Sequence, residues 1–181
     1  AYNCAGVIVS VLNEIPKHYW DQADLLVIDN CSSDGTAEAV VKAVSNGDLP
    51  ANVQVVQPPT NVDYAGSQKL AYKLALQSPA VEWVIMLHGD GQYAPALLDE
   101  IKPHIGGKYG VVQGYRCKKT FPDIEETPGP TYAVIKVLGE IESRLLGFPF
   151  YEWHSGFVMY ATEFLRRIDL DRLTSTRHID G

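Results

Sequence analysis

Three side chains able to hold a metal or a diphosphate stand at alternate positions in His88-Gly89-Asp90-Gly91-Gln92. In an extended chain side chains alternate, so His88, Asp90 and Gln92 share one side, while Gly89 and Gly91 leave the other open to close approach. The apolar run Val84, Ile85, Met86 and Leu87 predicts a buried strand that delivers them at its C-terminal edge. A carboxylate with an amide and an imidazole suits a divalent cation, and the imidazole moves preference from magnesium towards manganese. The same stretch also reads as a plain turn, with Asp90 capping the helix that Pro95, Leu97, Leu98 and Ile101 announce, and with His88 as a structural histidine.

Gly89-x-Gly91-x-x-Ala94 superficially fits a dinucleotide fingerprint. Asp90 would then place negative charge in the loop that cradles a pyrophosphate, and no acid follows at the ribose position. A cation between Asp90 and a diphosphate reverses that objection, because the metal's charge dominates such a site.

The 181 residues are the size of one domain, 46% hydrophobic and 20% charged, with formal net charge −7. That balance argues against nucleic acid as a partner. Cys4, Cys31 and Cys117 show neither a disulfide framework nor zinc spacing, which suits a reducing, cytoplasmic setting. No apolar run reaches the roughly 18 residues of a spanning helix. Membrane contact is therefore expected to be peripheral, at the inner face. The chain opens on Ala1 and stops after His178-Ile179-Asp180, and we expect a catalytic domain over 1–181 that lacks its first strand and its C-terminal end.

The elements that must position these residues follow from periodicity. Val7, Ile8, Val11, Leu12 and Ile15 repeat at helical spacing before Pro16, although Val7-Ile8-Val9 has strand propensity; we expect a helix. Residues 24–30 read as a buried strand. Cys31-Ser32-Ser33-Asp34-Gly35-Thr36 turns into a helix with Ala37, Val40, Val41 and Val44 inward, and Asp34 or Thr36 can cap it. After a strand at 53–57, Pro58-Pro59 opens a loop with Asn61, Asp63 and Gly66, then a helix with Leu70 and Leu74 inward. Lys69 near its start is either a solvated lysine or a sign of a bound anion. A strand at 110–115 ends on Arg116, and the polar, proline-bearing stretch 118–130 reads as an exposed, mobile loop. Val134, Val137, Leu138, Ile141 and Leu145 define a helix stopped by Gly147, with a strand near 157–160 and a short helix at 164–168. The apolar stripe of Tyr132 to Leu146 is read first as core and second as a lipid-facing surface.

Alternating strands and helices predict an α/β fold with a mostly parallel sheet covered on both faces. Such sheets bind ligands at the carboxyl ends of their strands, where Asp29, Asp90, Arg116 and, after a preceding strand, Asn3 all fall.

In this order the residues resemble glycosyltransferase family 2. Tyr2-Asn3 resembles the end of that family's first strand, and Val27-Ile28-Asp29-Asn30-Cys31-Ser32-Ser33-Asp34-Gly35-Thr36 its second strand and turn. Asn61, Gly66 and Lys69 match the loop and helix that follow the third strand, and Gly114-Tyr115-Arg116 the end of the next. His88-Gly89-Asp90-Gly91-Gln92 and Ser155-Gly156-Phe157-Val158 are similar to the motifs of the polyprenyl- and dolichyl-phosphate sugar synthases. Cys4, His88 and Val158 depart from them, standing where those proteins carry an acid, the metal motif's first acid and an arginine.

The resemblance implies a GT-A, Rossmann-like fold and transfer of a sugar from a nucleoside-diphosphate donor, with Mn2+ or Mg2+ at Asp90, Gln92 and His88. It implies that Tyr2, Asn3, Asp29, Gly66 and Lys69 bind the nucleotide, and that Arg116 faces an anionic acceptor such as polyprenyl phosphate. Asp34 reads better as a helix cap than as a direct contact. A saccharide hydroxyl would instead need a general base, for which His154 stands as candidate beside its structural reading. The rival classes are a non-catalytic nucleotide-sugar-binding module and a nucleotidyltransferase; the latter's glycine-rich, basic loop matches Cys4-Ala5-Gly6 poorly.

Overall fold

The apolar run Leu25–Ile28 forms β1, which pairs in parallel with β2, Val53–Val56, in the register Leu25 to Val53 through Ile28 to Val56. The computed structural model describes residues 1–115, 129–148 and 155–173. On the other side of β1 the nitrogen of Ala1 lies 2.6 Å from the Ile28 carbonyl, and the Asn30 N–H donates to the Ala1 carbonyl at 2.9 Å. Ala1 thus stands opposite Asp29 in a parallel ladder, and Asn3 follows just past its end.

A second sheet has the order β3 (Trp83–Ile85), β5 (Val158–Ala161), β4 (Val111–Gln113). β5 runs antiparallel to both neighbours, with Met159 at its centre fully buried. The expected parallel character therefore holds for β1 and β2, while β5 departs from it. β3 and β4 run in the same direction, and one reversed strand between them satisfies the backbone groups of both facing edges.

Helix α1, Ile8–Asn13, buries Ile8, Val11 and Leu12, so the helical period outweighs the strand propensity of Val7 to Val9. Packing is the reason, since Ile8 and Leu12 enter one core with Cys4, Val27, Val40, Leu98, Phe157 and Met159. α2, Thr36–Asn46, buries Ala37, Val40 and Ala43 on one face. α3, Asp63–Ala75, buries Ala65, Gln68 and Tyr72, a face rotated from the expected Leu70 and Leu74, which are only half-buried. Tyr72 joins Leu165 and Leu170 in a second cluster, and that large ring draws the helix round. α4 is one turn, Leu98–Ile101, with α5 at Gly129–Leu146 and α6 at Thr162–Leu165. No helix among the described residues is long and apolar enough to cross a membrane.

Candidate functional site

The carboxyl end of β1 delivers Asp29, which is completely buried. A buried carboxylate requires hydrogen-bond donors, and it has two: the Ser32 hydroxyl donates to Oδ1 and the Gln57 amide donates to Oδ2, the latter at 2.5 Å. Asp29 therefore lies at the strand end where the sequence places it, with Ser32 and Gln57 as the groups around it. A groove between α2 and β2, lined by Ala37, Glu38, Val41, Lys42, Val55 and Gln57, meets this cluster through Gln57.

The segment after Ala1 is clasped to the start of α2. Asn3, at φ +48°, donates its N–H to the Ser32 hydroxyl (2.9 Å), and its side-chain Oδ1 accepts the Ser33 N–H (2.9 Å). The Cys4 N–H donates to the Thr36 hydroxyl (2.9 Å) and the Ala5 N–H to Asp34 Oδ2 (2.9 Å). Asp34 Oδ1 accepts both the N–H and the hydroxyl of Thr36, at 3.1 and 2.6 Å. The Thr36 hydroxyl first, and the Ala5 amide next, hold its carboxyl below the usual range. Asp34 thus clasps the helix start from one residue before the cap position, which is Gly35 and makes no side-chain cap hydrogen bond. Tyr2 is 57% exposed beside it, free of the core. Burial pushes the Cys4 thiol up, so it stays a neutral thiol.

The third strand end departs from the expected geometry. β3 stops at Ile85, and 88–91 close a turn in which the Gly91 N–H donates to the His88 carbonyl at 3.4 Å, with Gly91 at φ +79°. The alternation that would have put His88, Asp90 and Gln92 on one face is broken there, because a turn needs the left-handed conformation that glycine supplies. Asp90 is exposed, and its Oδ1 accepts the Gln92 N–H at 3.1 Å. Gln92 is exposed as well. Gly89 faces the other way: a Cβ on it would lie 2.9 Å from Ile8 Cδ1 and 3.2 Å from Ala1 Cβ and Cys4 Sγ. Bare backbone at Gly89 is what lets the Asp90 turn seat on the segment that carries Tyr2 and Asn3.

His88 is held from three sides. Its Nε2 is 3.1 Å from the Tyr64 hydroxyl, its ring meets Tyr93 edge to face with centroids 4.9 Å apart, and a Cβ on Gly156 would fall 2.7 Å from Nε2. The Tyr93 hydroxyl in turn accepts the Gly156 N–H at 3.0 Å.

Among the described residues no three His, Cys, Asp or Glu side chains gather as a metal cage. A single exposed carboxylate at a turn fits the other arrangement, in which one or two carboxylates share a cation with substrate phosphates and water.

Gly66 and Lys69 have local explanations. A Cβ on Gly66 would lie 2.7 Å from Val62 Cβ, so the start of α3 packs on its own preceding residue. Lys69 is the seventh residue of α3, beyond the first turn, and its ammonium donates to the Leu173 carbonyl. Arg116, His154 and the stretch 118–128 lie outside the described residues.

Two amides from the matched motifs complete the cluster. Asn30 donates to Asn61 Oδ1 (3.0 Å) and accepts the Val62 N–H (2.8 Å), tying the Pro58-Pro59 loop to the end of β1. Asn30 and Asn61 were visible as amides in two loops; Tyr64, Gln57 and Tyr93 carried no signal in the sequence.

The sequence profile of Glycosyl transferase family 2 matches residues 1–169. Among solved structures, glucosyl-3-phosphoglycerate synthase from Mycobacterium tuberculosis in complex with phosphoglyceric acid is similar at 17% identity and TM-score 0.60, over 90% of this chain and 55% of that one. The same synthase in complex with Mn2+, uridine diphosphate and glucosyl-3-phosphoglycerate is similar at 16% identity and TM-score 0.60, with the same coverage. A mannosyltransferase from Pyrobaculum calidifontis in complex with GDP-Man and Mn2+ is similar at 21% identity and TM-score 0.58, over 93% of this chain and 44% of that one. The chain thus spans about half the length of these structures, and the likeness gives it their GT-A fold. No curated protein matches the sequence.

Proposed function

The chain belongs to glycosyltransferase family 2, and from that premise we propose that it transfers a sugar from a nucleoside-diphosphate donor, with a divalent cation at Asp90. The observation that carries this is the seating of the Asp90 turn on Ala1 and Cys4 through Gly89, beside the strand end that bears Asp29. One carboxylate is thereby fixed next to a pocket edge built from Tyr2, Asn3 and Asp29, which suits a nucleoside joined to a diphosphate.

In this reading Tyr2 lies along the base, and Asp29, itself completely buried, orients Ser32 and Gln57 to offer hydrogen bonds to the base or ribose. Asn3, Gly66 and Lys69 sit on the elements that frame the nucleotide. Asp90, with Gln92 beside it, would hold Mn2+ or Mg2+, which as a Lewis acid stabilises the leaving diphosphate. Asp90 also orders its own turn, so the carboxylate is already aimed when the donor arrives. That saves reorganisation during the reaction.

For the acceptor the sequence favours an anion, polyprenyl phosphate, through Arg116 and the related synthases' motifs. A phosphate oxygen is already a nucleophile and needs little from a general base, whereas a saccharide hydroxyl would call on His154. The exposed apolar side chains of α5, including Val134, Val137, Ile141 and Leu145, suit peripheral contact with a lipid surface.

The test is release of nucleoside diphosphate from a panel of nucleotide sugars with Mn2+, followed by radiolabelled transfer to a short-chain polyprenyl phosphate or a neutral glycan. Lipid-phosphate transfer that falls in Arg116→Ala supports the full reading. Transfer to the neutral glycan alone removes the lipid acceptor, and donor binding without turnover makes the chain a binding module.

A further inference from the structure

The stretch that follows α6 lies outside the site described above, yet its contacts advance in a fixed order along α3. Arg166 donates to the Leu76 carbonyl at 3.4 Å, Asp171 pairs with the Lys73 ammonium, and the Leu173 carbonyl accepts from the Lys69 ammonium. As the numbers rise from 166 to 173 along this stretch, their partners on α3 fall from 76 to 69. The two segments therefore run antiparallel, and the contacts climb towards the end of α3 that carries Tyr64.

The partners on α3 share one stripe of the helix. Lys69, Tyr72, Lys73 and Leu76 stand at i, i+3, i+4 and i+7, the spacing that places side chains above one another. The stripe has an apolar seam, for Tyr72, 1% exposed, packs with the buried Leu165 and Leu170, while Leu76, Ile168 and Leu173 pack against that cluster. Burial of Leu170 holds the stretch down, and the two ammonium groups set where along the helix it lies. An exposed ion pair such as Lys73 with Asp171 contributes little strength by itself. Its value here is alignment.

The stretch also closes a circuit of contacts. β3 pairs with β5, β5 leads directly into α6 and the stretch beyond it, and that stretch binds α3. Tyr64 in the first turn of α3 then returns to the chain just past β3, with its hydroxyl 3.1 Å from His88 Nε2.

We propose that residues 166–173 form a strap that braces α3 against the sheet bearing the Asp90 turn, and that Lys69 is a positioning residue that fastens this strap, not a ligand of the donor's phosphates. The nucleotide-sugar reading supplies what the brace serves, but the first test is independent of it.

That test is amide hydrogen exchange of the full, ligand-free chain, read by mass spectrometry. The amides of Asp171 and Arg172 donate within the strap to Asp169, at 3.1 Å each, and report its opening. Their exchange should quicken about threefold or more in Lys69→Met and in Lys73→Met, the loss expected for one charge-assisted contact. Lys69→Arg, which keeps a cationic donor, should restore protection, and exchange in β1 should stay as in wild type. Unchanged strap exchange in Lys69→Met, an equal rise in β1, or no rescue by Lys69→Arg would overturn the proposal. Calorimetry with uridine diphosphate and Mn2+ gives the second reading. Any loss of affinity in Lys69→Met should match that in Lys73→Met within about threefold, because both act through the strap. A larger loss confined to Lys69→Met would make Lys69 a phosphate ligand and contradict the assignment. Should wild type bind no nucleotide diphosphate at all, the nucleotide-sugar reading falls, while the exchange measurement still decides this inference.

Discussion

Gly89 packs on Cys4 so closely that a methyl group in place of its hydrogen would stand 3.2 Å from the Cys4 sulfur, and 2.9 Å from Ile8 Cδ1. The Asp90 turn is seated through this contact. Gly89→Ala should therefore cost about 1–3 kcal/mol of stability, the usual range for overpacking, and should lower uridine diphosphate affinity in Mn2+ more than it lowers affinity without metal. Urea unfolding and calorimetry check the two halves. Unchanged stability would show that the turn is not docked here.

Asp34 predicts a pH dependence whose sign is set by hydrogen bonding. Its carboxyl is held below the usual range by Thr36 and then Ala5. A depressed folded-state value means that the contribution is present above the unfolded value, about 3.9, and is lost as pH falls through the folded value. The urea midpoint of wild type should exceed that of Asp34→Asn at about pH 6, and the gap should close as pH falls below about 4. A gap that persists at low pH would contradict the assignment.

Gly66 separates packing from ligand contact. With Val62 Cβ at 2.7 Å from an added Cβ, Gly66→Ala should destabilise by about 1–3 kcal/mol, and removing the opposing side chain with Val62→Gly should return part of the loss relative to Val62→Gly alone. Nucleotide affinity of the folded double variant should stay within about twofold of wild type, an energy of about 0.4 kcal/mol. A large loss of affinity with restored stability would instead place Gly66 at the ligand.

Much of this site was legible because strand ends in an α/β chain follow from local pattern. The apolar run before Asp29, and the carboxylate-bearing turn after Ile85, announced two of the three edges that meet. What the pattern could not supply was conformation set by distant partners. The period-two spacing of His88, Asp90 and Gln92 read as one face, but Gly91 turns the chain at φ +79° and ends the alternation. Lys69 read as either a solvated lysine or the partner of a bound anion near the helix start, but α3 is rotated so that Tyr72 enters the second core, and the ammonium reaches the Leu173 carbonyl. Tyr64 sits on His88 only because α3 packs there, a long-range consequence invisible in any local window. The reversed direction of β5 belongs to the same class.

Asp29 should do two jobs at once. Asp29→Ala removes the acceptor of both Ser32 and Gln57, at a cost of about 1–3 kcal/mol in stability. It should also weaken nucleoside binding by about tenfold or more without metal, equivalent to about 1.4 kcal/mol or more. Calorimetry with uridine and guanosine nucleotides on the folded variant measures the second effect. Unchanged affinity for both would leave Asp29 a purely structural group.

The coupling between nucleotide diphosphate and metal through Asp90 is tested most directly by calorimetric titration of uridine diphosphate and guanosine diphosphate, with and without Mn2+, into wild type and Asp90→Asn. Wild type should bind at least one of them about tenfold or more tightly with the metal, a difference of about 1.4 kcal/mol, and Asp90→Asn should bind it equally with and without. A wild type indifferent to Mn2+, or an Asp90→Asn chain that keeps the full metal effect, would contradict the account.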